Sequence, residues 1–216
     1  MIKVTKIKVG VIFGGQSTEH DVSVVSGSSV IKNLNKEKYE IYPIYISKDG
    51  NWFHYTKPVQ DIEIFEIGEQ PKELEKISNE FEILKKQDII FPVLHGLYGE
   101  DGTIQGLLEL LKVPYVGCKV LASGICMDKV YAKMIFEKAH INQAKAVVIN
   151  AKNGYTYVDE ELNHISTTIG EICKIVNEKL EYPVFVKPSN SGSSVGVSKA
   201  VNDEELKNSI QEAAKY

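Results

Sequence analysis

Residues 7–15, IKVGVIFGG, are a β-rich run that ends in two adjacent glycines. Residues 19–33 follow with an early acidic pair and then serines and valines, which is typical of a helix. A strand, a tight glycine turn and a helix in this order open an α/β unit. Ser17 or Thr18 can cap the helix, because a hydroxyl oxygen accepts from its first free N–H groups. The stretch predicts an α/β fold.

Strand, loop and helix signals repeat through the first 120 residues. Strands are predicted at 39–47, 52–55, 88–94 and 113–116, and helices at 69–77 and 103–111. This alternation predicts a mostly parallel sheet with helices on its faces. Ligands of such sheets bind at the carboxyl ends of strands, where Gly14–Gly15 and His95–Gly96 both lie.

The rest of the chain mixes helices with short strands. Helices are predicted at 127–138, 161–180 and 203–216, and strands at 144–149, 184–186 and 195–197. The change in pattern places a domain boundary near residue 120. We therefore expect an N-terminal domain at 1–120 and a small α+β domain at 121–216.

Composition narrows the class of protein. The net charge of −4 leaves no basic field for nucleic acid, and 43% hydrophobic with 25% charged residues is ordinary for a globular chain. The first 15 residues lack the apolar core of a signal peptide, and the longest apolar run, 89–94, is too short to span a bilayer. We expect a cytoplasmic protein that binds no membrane.

Cys118, Cys126 and Cys173 are far apart in the chain. Their spacing matches no metal motif and no disulfide framework, which favours a reducing compartment. We expect them to be small buried hydrophobic residues rather than metal ligands or nucleophiles.

Residues 184–198, VFVKPSNSGSSVGVS, combine a short strand, a lysine and a Ser/Gly loop. Such a loop can present backbone N–H groups and hydroxyls to an anion, with Lys187 adding positive charge. Lys129, near the start of a helix, suits the same polyphosphate. The lysine precedes the glycines, so this is not a Walker P-loop. The residues alone predict a nucleotide or phosphate site.

Four further residues leave alternatives open. Glu19, in the first turn of a helix, is either a ligand for a substrate ammonium group or a helix cap. His95, at the end of a buried strand, is either a functional group or a loop hydrogen-bonder. Glu100 and Asp101 precede a helix, and capping is favoured over metal binding.

Four segments together resemble the D-alanine–D-alanine ligase family of the ATP-grasp superfamily. They are VGVIFGGQSTEHDVSVVSG at 9–27, FPVLHGLYGEDGTIQGLLELL at 91–111, PYVGCKVLASGICMDKVYAK at 114–133 and VFVKPSNSGSSVGVSKA at 184–200. The resemblance implies a Rossmann-like pre-ATP-grasp domain followed by a central ATP-grasp subdomain. It also implies cytoplasmic synthesis of the D-Ala-D-Ala dipeptide for peptidoglycan, with ATP and Mg²⁺ or Mn²⁺, through an acyl phosphate.

The resemblance implies a role for particular residues. Glu19 would bind the ammonium group of the first D-alanine, and Ser193 would orient the site around it, with both taking part in catalysis. His95 and Ser194 would lie beside the substrates. ATP would be bound by one set of side chains and loop positions: Lys129, Lys187, Ser189, Gly192, Ser193, Ser194 and Gly196.

In this family a further region carries an adenine-pocket strand, an arginine and the metal ligands. The sequence ends at Tyr216, before any residues that match that region. We therefore expect the metal ligands to lie beyond Tyr216 and the 216 residues alone to be inactive. A D-serine or D-lactate ligase and a noncatalytic D-amino-acid or nucleotide-binding module remain alternatives. The family also implies a homodimer through the N-terminal domain.

Overall fold

The computed structural model describes residues 5–216, which divide into two compact units, the first ending at residue 126 and the second spanning residues 127–216. The boundary near residue 120 and the functions assigned to each side of it stay predictions. Within residues 5–216, each helix is too short or too polar to cross a membrane.

The first unit contains a five-stranded sheet with helices on both faces. Its strands are β1 (Ile7–Gly14), β2 (Tyr39–Ile46), β3 (Trp52–Tyr55), β4 (Leu74–Lys76) and β5 (Ile89–Pro92). Its helices are α1 (His20–Asn33), α2 (Glu80–Lys85), α3 (Thr103–Leu111) and α4 (Val120–Met127), with a 3-10 turn at Val59–Asp61. The sheet order is β4-β3-β2-β1-β5.

Strand β1 lies at the centre of the parallel part of the sheet. It pairs in parallel with β2 from Ile7 opposite Tyr39 to Gly14 opposite Ile46, and in parallel with β5 on its other side. Strand β3 pairs antiparallel with β2, and β4 pairs antiparallel with β3. A strand with neighbours on both sides and helices on both faces is buried, and β1 is buried from Val9 to Gly14, which explains its nearly continuous apolar sequence. The predicted α/β class is confirmed.

Alternate residues of β1 enter two different cores because side chains of a strand point to opposite faces. Val11 and Phe13 pack with Val24 and Ile31 of α1 on one face. On the other face Ile12 joins a second core, formed by buried side chains of β2, β5, α2 and α3: Ile44, Ile46, Leu84, Ile90, Leu94, Ile104 and Leu108. Both cores include a side chain near the carboxyl end of β1, Phe13 in one and Ile12 in the other.

Two sequence-based elements of the first unit differ from the structure. The helix predicted at 69–77 is wrong, because residues 74–76 pair with β3 as strand β4. The strand predicted at 113–116 is reduced to one parallel bridge between Tyr115 and Ile90. In both places backbone pairing with a distant strand decides the conformation.

The second unit joins two small sheets to three helices. Its strands are β6 (Val148–Asn150), β7 (Tyr155–Val158), β8 (His164–Thr167), β9 (Val184–Val186) and β10 (Ser198–Ala200). Its helices are α5 (Lys129–Lys138), α6 (Ile169–Lys179) and α7 (Asp203–Ala213). Strands β6, β7 and β8 form one antiparallel sheet, and β9 and β10 form another. The core packs α6 and α7 against the strands through Ile172, Val176, Leu206 and Ile210.

The start of α6 shows how a cap overrides a longer helical pattern. A helix was expected from residue 161, but residues 164–167 pair with β7 and α6 begins at Ile169. Thr168 and Glu171 form a capping box, in which the Thr168 hydroxyl accepts from the Glu171 N–H and the Glu171 carboxylate accepts from the Thr168 N–H. Hydrogen bonds from Thr168 lower the pKa of Glu171.

All three cysteines are free thiols. Cys173 is buried in the core of the second unit, as expected, and burial raises the pKa of its thiol. The expectation is wrong for Cys118 and Cys126, which are exposed, because both lie where α4 and its preceding loop reach the surface.

The second core of the first unit yields a stability prediction. Ile12 is fully buried, so we expect Ile12→Ala to lower the free energy of unfolding by about 2–5 kcal/mol, through lost transfer energy and the cavity left behind. The chain has one tryptophan, Trp52 in β3, so urea unfolding followed by its fluorescence reports on the first unit.

Leu110→Ala is the matched control. The Leu110 side chain is 84% exposed, so its truncation should change stability by less than about 0.5 kcal/mol. Equal effects of the two substitutions would contradict the packing described for Ile12.

Candidate functional site

The carboxyl ends of β1 and β5 converge in the first unit, at the edge where parallel sheets bind ligands. Gly14 ends β1 and Gly15 follows it, with φ angles of 90° and 94°, a backbone conformation that glycine adopts without strain. His95 and Gly96 follow β5. The structure therefore brings together the two loops that the sequence predicted at this edge.

A buried serine joins these two strand ends. The Ser23 hydroxyl, on α1, accepts from the Gly14 N–H at 2.9 Å and donates to the Val93 carbonyl oxygen at 2.5 Å. Because Ser23 is fully buried, these bonds replace the solvent contacts of both backbone groups. Helix α1 thus fixes the spacing between the glycine turn and the β5 loop.

A second serine links Glu19 to His95. The Ser17 hydroxyl accepts from the Glu19 N–H at 3.1 Å and donates to the His95 carbonyl oxygen at 2.7 Å. Ser17 is a predicted helix cap, and the structure gives it the Glu19 N–H as a partner. Its bond to His95 was not predicted, because the two residues are 78 positions apart in the chain.

The Glu19 carboxylate lies in a confined position beside Gly96. Glu19 is only 9% exposed and occupies the N-cap position of α1, where the helix dipole favours a negative charge. In this helix, which lies wholly within residues 5–216, the Glu19 side chain makes no capping hydrogen bond. A Cβ atom on Gly96 would lie 2.5 Å from Glu19 Oε2. Glycine at position 96 therefore makes room for this carboxylate.

Two side chains orient the imidazole of His95. The Ser26 hydroxyl donates to the Val22 carbonyl oxygen at 2.9 Å, so its oxygen accepts from His95 Nε2 at 3.0 Å. Glu100 Oε1 lies 3.9 Å from His95 Nδ1, and Glu100 Oε2 accepts from the Gly96 N–H at 2.9 Å. His95 is half-buried, and its ring is held at Nε2 by Ser26.

Asp101 has the capping role predicted for it. Asp101 Oδ1 accepts from the N–H of Thr103, the first residue of α3, at 2.9 Å, and Oδ2 accepts from the Tyr98 N–H at 2.9 Å. Across residues 5–216, no three His, Cys, Asp or Glu side chains are grouped closely enough to hold a metal ion.

A cavity of about 270 Å³ opens beside the glycine turn. Gly15 and His95 contribute to its wall, and the remainder is largely apolar, with Trp52, Leu94 and Leu107. Its position matches the ligand-binding edge of the sheet, and its size suits a small molecule.

The phosphate-loop residues are gathered in the second unit. Lys129, the first residue of α5, donates from Nζ to the carbonyl oxygens of Ser189 at 3.3 Å and Ser191 at 2.5 Å. Its backbone N–H also donates to the Ser189 carbonyl oxygen at 3.0 Å. Asp128 accepts from the Val130 N–H at 2.8 Å and caps the helix, which fixes the direction of Lys129. Lys129 therefore contacts the loop, and its binding of ATP phosphates stays a prediction.

The loop itself is tightly turned. Ser193, Ser194 and Gly196 have positive φ angles of 44°, 62° and 69°. The Val195 N–H donates to the Gly192 carbonyl oxygen and the Val197 N–H to that of Ser194. Lys187 follows β9 directly and is exposed. Successive turns of this kind direct backbone N–H groups toward a common point, which suits an anion.

Glu19 and His95 therefore lie together in the first unit, and Lys129 with the loop in the second. Ser193, predicted to orient the site around Glu19, belongs to the second unit and is described within it. Sequence reasoning missed Ser23 and Ser26. The sequence could have indicated both residues, because serines are unfavourable in a helix interior unless their hydroxyls bind backbone groups, and these two lie on one face of α1.

Comparison with known proteins identifies relatives of the whole chain. A family described as "D-ala D-ala ligase N-terminus" matches residues 8–118, and one described as "D-ala D-ala ligase C-terminus" matches residues 136–216. The chain is 52% identical to a D-alanine–D-alanine ligase of Clostridium novyi and 50% identical to one of Clostridium acetobutylicum. Each match covers 98% of this chain and 58% of the relative, so the chain spans less than two thirds of their length.

Two solved structures share the fold over 98% of the chain. The VanG D-Ala:D-Ser ligase of Enterococcus faecalis is 37% identical with a TM-score of 0.76, and 60% of that chain is covered. The D-alanine–D-alanine ligase of Coxiella burnetii is 27% identical with a TM-score of 0.79, and 61% of that chain is covered.

The glycines of the first unit yield a paired prediction. Gly96→Ala should destabilise this unit by about 1–2 kcal/mol, because φ is +67° and the new Cβ would displace the Glu19 carboxylate. Gly106→Ala, within α3, meets nothing within 4 Å and should instead stabilise it by about 0.5–1 kcal/mol. Urea unfolding followed by Trp52 fluorescence measures both, and shifts of the same sign would contradict the geometry at Gly96.

Proposed function

The chain belongs to the D-alanine–D-alanine ligase family, and on that premise we propose that it acts in the ATP-dependent joining of two D-alanine molecules. The observation that carries this proposal is the cluster at the edge of the first sheet. There the Ser17 hydroxyl links Glu19 to His95, and Gly96 leaves space for the Glu19 carboxylate. An ionised carboxylate, largely removed from water, is suited to hold the ammonium group of an amino acid.

The reaction has two steps. The carboxylate of the first D-alanine attacks the γ-phosphorus of ATP, which forms an acyl phosphate and releases ADP. The amine of the second D-alanine then attacks the acyl carbon, forms the peptide bond and releases phosphate. Activation is needed because a carboxylate has no good leaving group, whereas an acyl phosphate does.

We assign the residues of the first unit to the amino-acid substrates. Glu19 binds the ammonium group of the first D-alanine and keeps that molecule oriented for attack. His95 lies beside the substrate carboxylates. Its Nε2 is occupied by Ser26, so Nδ1 is the ring atom left to approach them.

We assign the loop of the second unit to ATP. Lys129 and Lys187 bind the phosphates, and residues 189–196 cover them. In the ligand-free chain the Lys129 ammonium group is held by loop carbonyl oxygens, which are weaker partners than a phosphate. Ser193 and Ser194 connect the loop to the first D-alanine.

Magnesium assists phosphoryl transfer in ATP-dependent ligases by neutralising phosphate charge. The described residues offer no cluster of metal ligands, so no step here is assigned to metal. A homodimer through the N-terminal domain and a cytoplasmic location stay predictions.

A D-alanine–D-serine ligase is the second candidate, because the VanG D-Ala:D-Ser ligase is among the structural relatives. Both candidates use D-alanine as the first substrate, so Glu19 has the same role in each. Calorimetric titration with D-alanine, D-serine and D-lactate tests the ammonium-binding role of Glu19 that the two candidates share. D-lactate lacks an ammonium group and should not bind at Glu19. Absence of binding by every D-amino acid would overturn the proposal.

The proposed role of Glu19 predicts a specific loss. Glu19→Gln keeps the shape of the side chain and removes its charge, so we expect D-alanine affinity to fall about 10- to 100-fold, the equivalent of about 1.5–3 kcal/mol for a charged hydrogen bond. Calorimetry measures the affinity, and a thermal melt checks the fold. Glu37→Gln, on an exposed turn, is the control and should bind as the parent does. Parallel losses of melting temperature and affinity would instead support a capping role for Glu19.

The role of Lys129 predicts a loss confined to phosphate binding. Lys129→Met should weaken the binding of a nonhydrolysable ATP analogue by about tenfold or more, because one charge-assisted bond to phosphate is lost. Lys133→Met is the matched control, since Lys133 lies one turn along α5 and its Nζ donates to the Ala144 carbonyl oxygen. Equal affinity of the two variants for the analogue would contradict the assignment.

A further inference from the structure

His20, the first residue of α1, is buried next to Glu19. It is 1% exposed, and its ring packs edge-on against Tyr45, with ring centroids 5.6 Å apart and planes at 77°. An imidazole enclosed in this way does not bind a substrate from solvent. Any effect of His20 on substrate binding passes through the groups to which it is bonded.

One ring nitrogen of His20 holds the glycine turn. Nδ1 lies 2.5 Å from the Gly15 carbonyl oxygen. A carbonyl oxygen only accepts, so Nδ1 carries a hydrogen and donates it. The Gly15 N–H donates to the Ile46 carbonyl oxygen at 2.8 Å. Gly15 is therefore held by both its backbone N–H and its carbonyl oxygen, which fixes the direction in which the chain leaves the turn toward Ser17.

The other ring nitrogen faces two side chains. Nε2 lies 3.1 Å from Gln70 Oε1 and 3.2 Å from the Tyr45 hydroxyl. The Gln70 amide nitrogen donates to Asp21 Oδ1 at 2.9 Å, which directs Oε1 toward the ring. The Tyr45 hydroxyl donates to Gln70 Oε1 at 2.7 Å. The same hydroxyl can turn to donate to Nε2 of a neutral ring, whereas a cationic ring donates from Nε2 to Gln70. Both forms keep the bond from Nδ1 to Gly15.

The charged groups around His20 reinforce this arrangement. Lys48 Nζ lies 3.1 Å from Asp21 Oδ1, and its hydrogen bond is the main cause that lowers the pKa of Asp21. Burial is the main cause that raises the pKa of Tyr45. Near neutral pH Asp21 is thus a carboxylate and Tyr45 a phenol, so each keeps the hydrogen-bonding role described for it.

We propose that His20 is the positioning residue for the ammonium-binding carboxylate of Glu19. The bond from Nδ1 to Gly15 sets the turn that carries Ser17, whose hydroxyl binds the Glu19 N–H and the His95 carbonyl oxygen. The role of Glu19 in this inference rests on the proposed function, whereas the control of the turn by His20 does not.

Two substitutions separate the two ring nitrogens. In asparagine the amide nitrogen is as many bonds from Cα as Nδ1 of histidine, so His20→Asn can keep the donor to Gly15 and loses contact with Gln70. In glutamine the amide nitrogen is as many bonds from Cα as Nε2, so His20→Gln can reach Gln70 and loses the bond to Gly15. Both variants lose the packing of the ring against Tyr45. Their thermal melts show whether this loss lowers the melting temperature equally in the two.

Nuclear magnetic resonance tests the positioning without any ligand. In the parent chain the nitrogen shifts of the His20 ring should show a protonated Nδ1. The amide resonances of Ser17 and Glu19 should move in His20→Gln and stay close to the parent positions in His20→Asn. An unprotonated Nδ1, or equal movement of these resonances in the two variants, would overturn the control of the turn by His20.

Calorimetry with D-alanine tests the consequence for binding. His20→Gln should bind about tenfold more weakly, the loss expected for one hydrogen bond, and His20→Asn should bind within about threefold of the parent. If both variants lose D-alanine affinity to the same extent and in step with their melting temperatures, His20 has a merely structural role and the proposal is overturned. If the parent chain binds no D-alanine, the proposed function fails and with it the substrate role of Glu19, while the resonances still decide whether His20 sets the turn.

Discussion

The first unit depends on the complete hydrogen bonding of a buried glycine turn. A backbone polar group removed from water costs free energy unless a partner replaces the solvent. The Gly14 N–H donates to Ser23, the Gly15 N–H to Ile46 and the Gly15 carbonyl accepts from His20. Because these partners come from α1 and from β2, the turn aligns the central strand, its neighbour and the following helix in a single arrangement.

The same constraint explains the unusual composition of α1. Serines are unfavourable in helix interiors, since their hydroxyls compete for backbone groups. In α1 those hydroxyls reach the loop that follows β5: Ser23 donates to Val93, and Ser26 accepts from His95. Ser17, just ahead of the helix, adds the bond to the His95 carbonyl oxygen. The serines lower the intrinsic helix propensity of α1, and they hold the loop after β5, a candidate substrate-binding loop, in place.

In the second unit, the capped start of α5 sets the position of Lys129, and the loop that Lys129 contacts has a strained backbone. Asp128 caps α5 and directs Lys129 toward the carbonyl oxygens of Ser189 and Ser191. Ser193 and Ser194 both adopt left-handed backbone conformations, which cost energy in residues other than glycine. Such a conformation persists only where surrounding contacts maintain it, and the bonds within residues 189–197 provide part of that support.

Several features were decided by sequence alone. The apolar run of β1, its two glycines and the polar start of α1 determine a strand, a turn and a helix, because these signals are local. The position of Lys187 directly after the short strand β9 is read from the sequence in the same way. Tertiary structure decided the rest. Residues 74–76 became a strand through pairing with β3, and residues 164–167 through pairing with β7. Ser17 met His95, and His20 met Gln70, across 78 and 50 positions of chain. Contacts at such separations follow from the packing of whole elements, and no local pattern of residues encodes the distance between two atoms that the fold brings together.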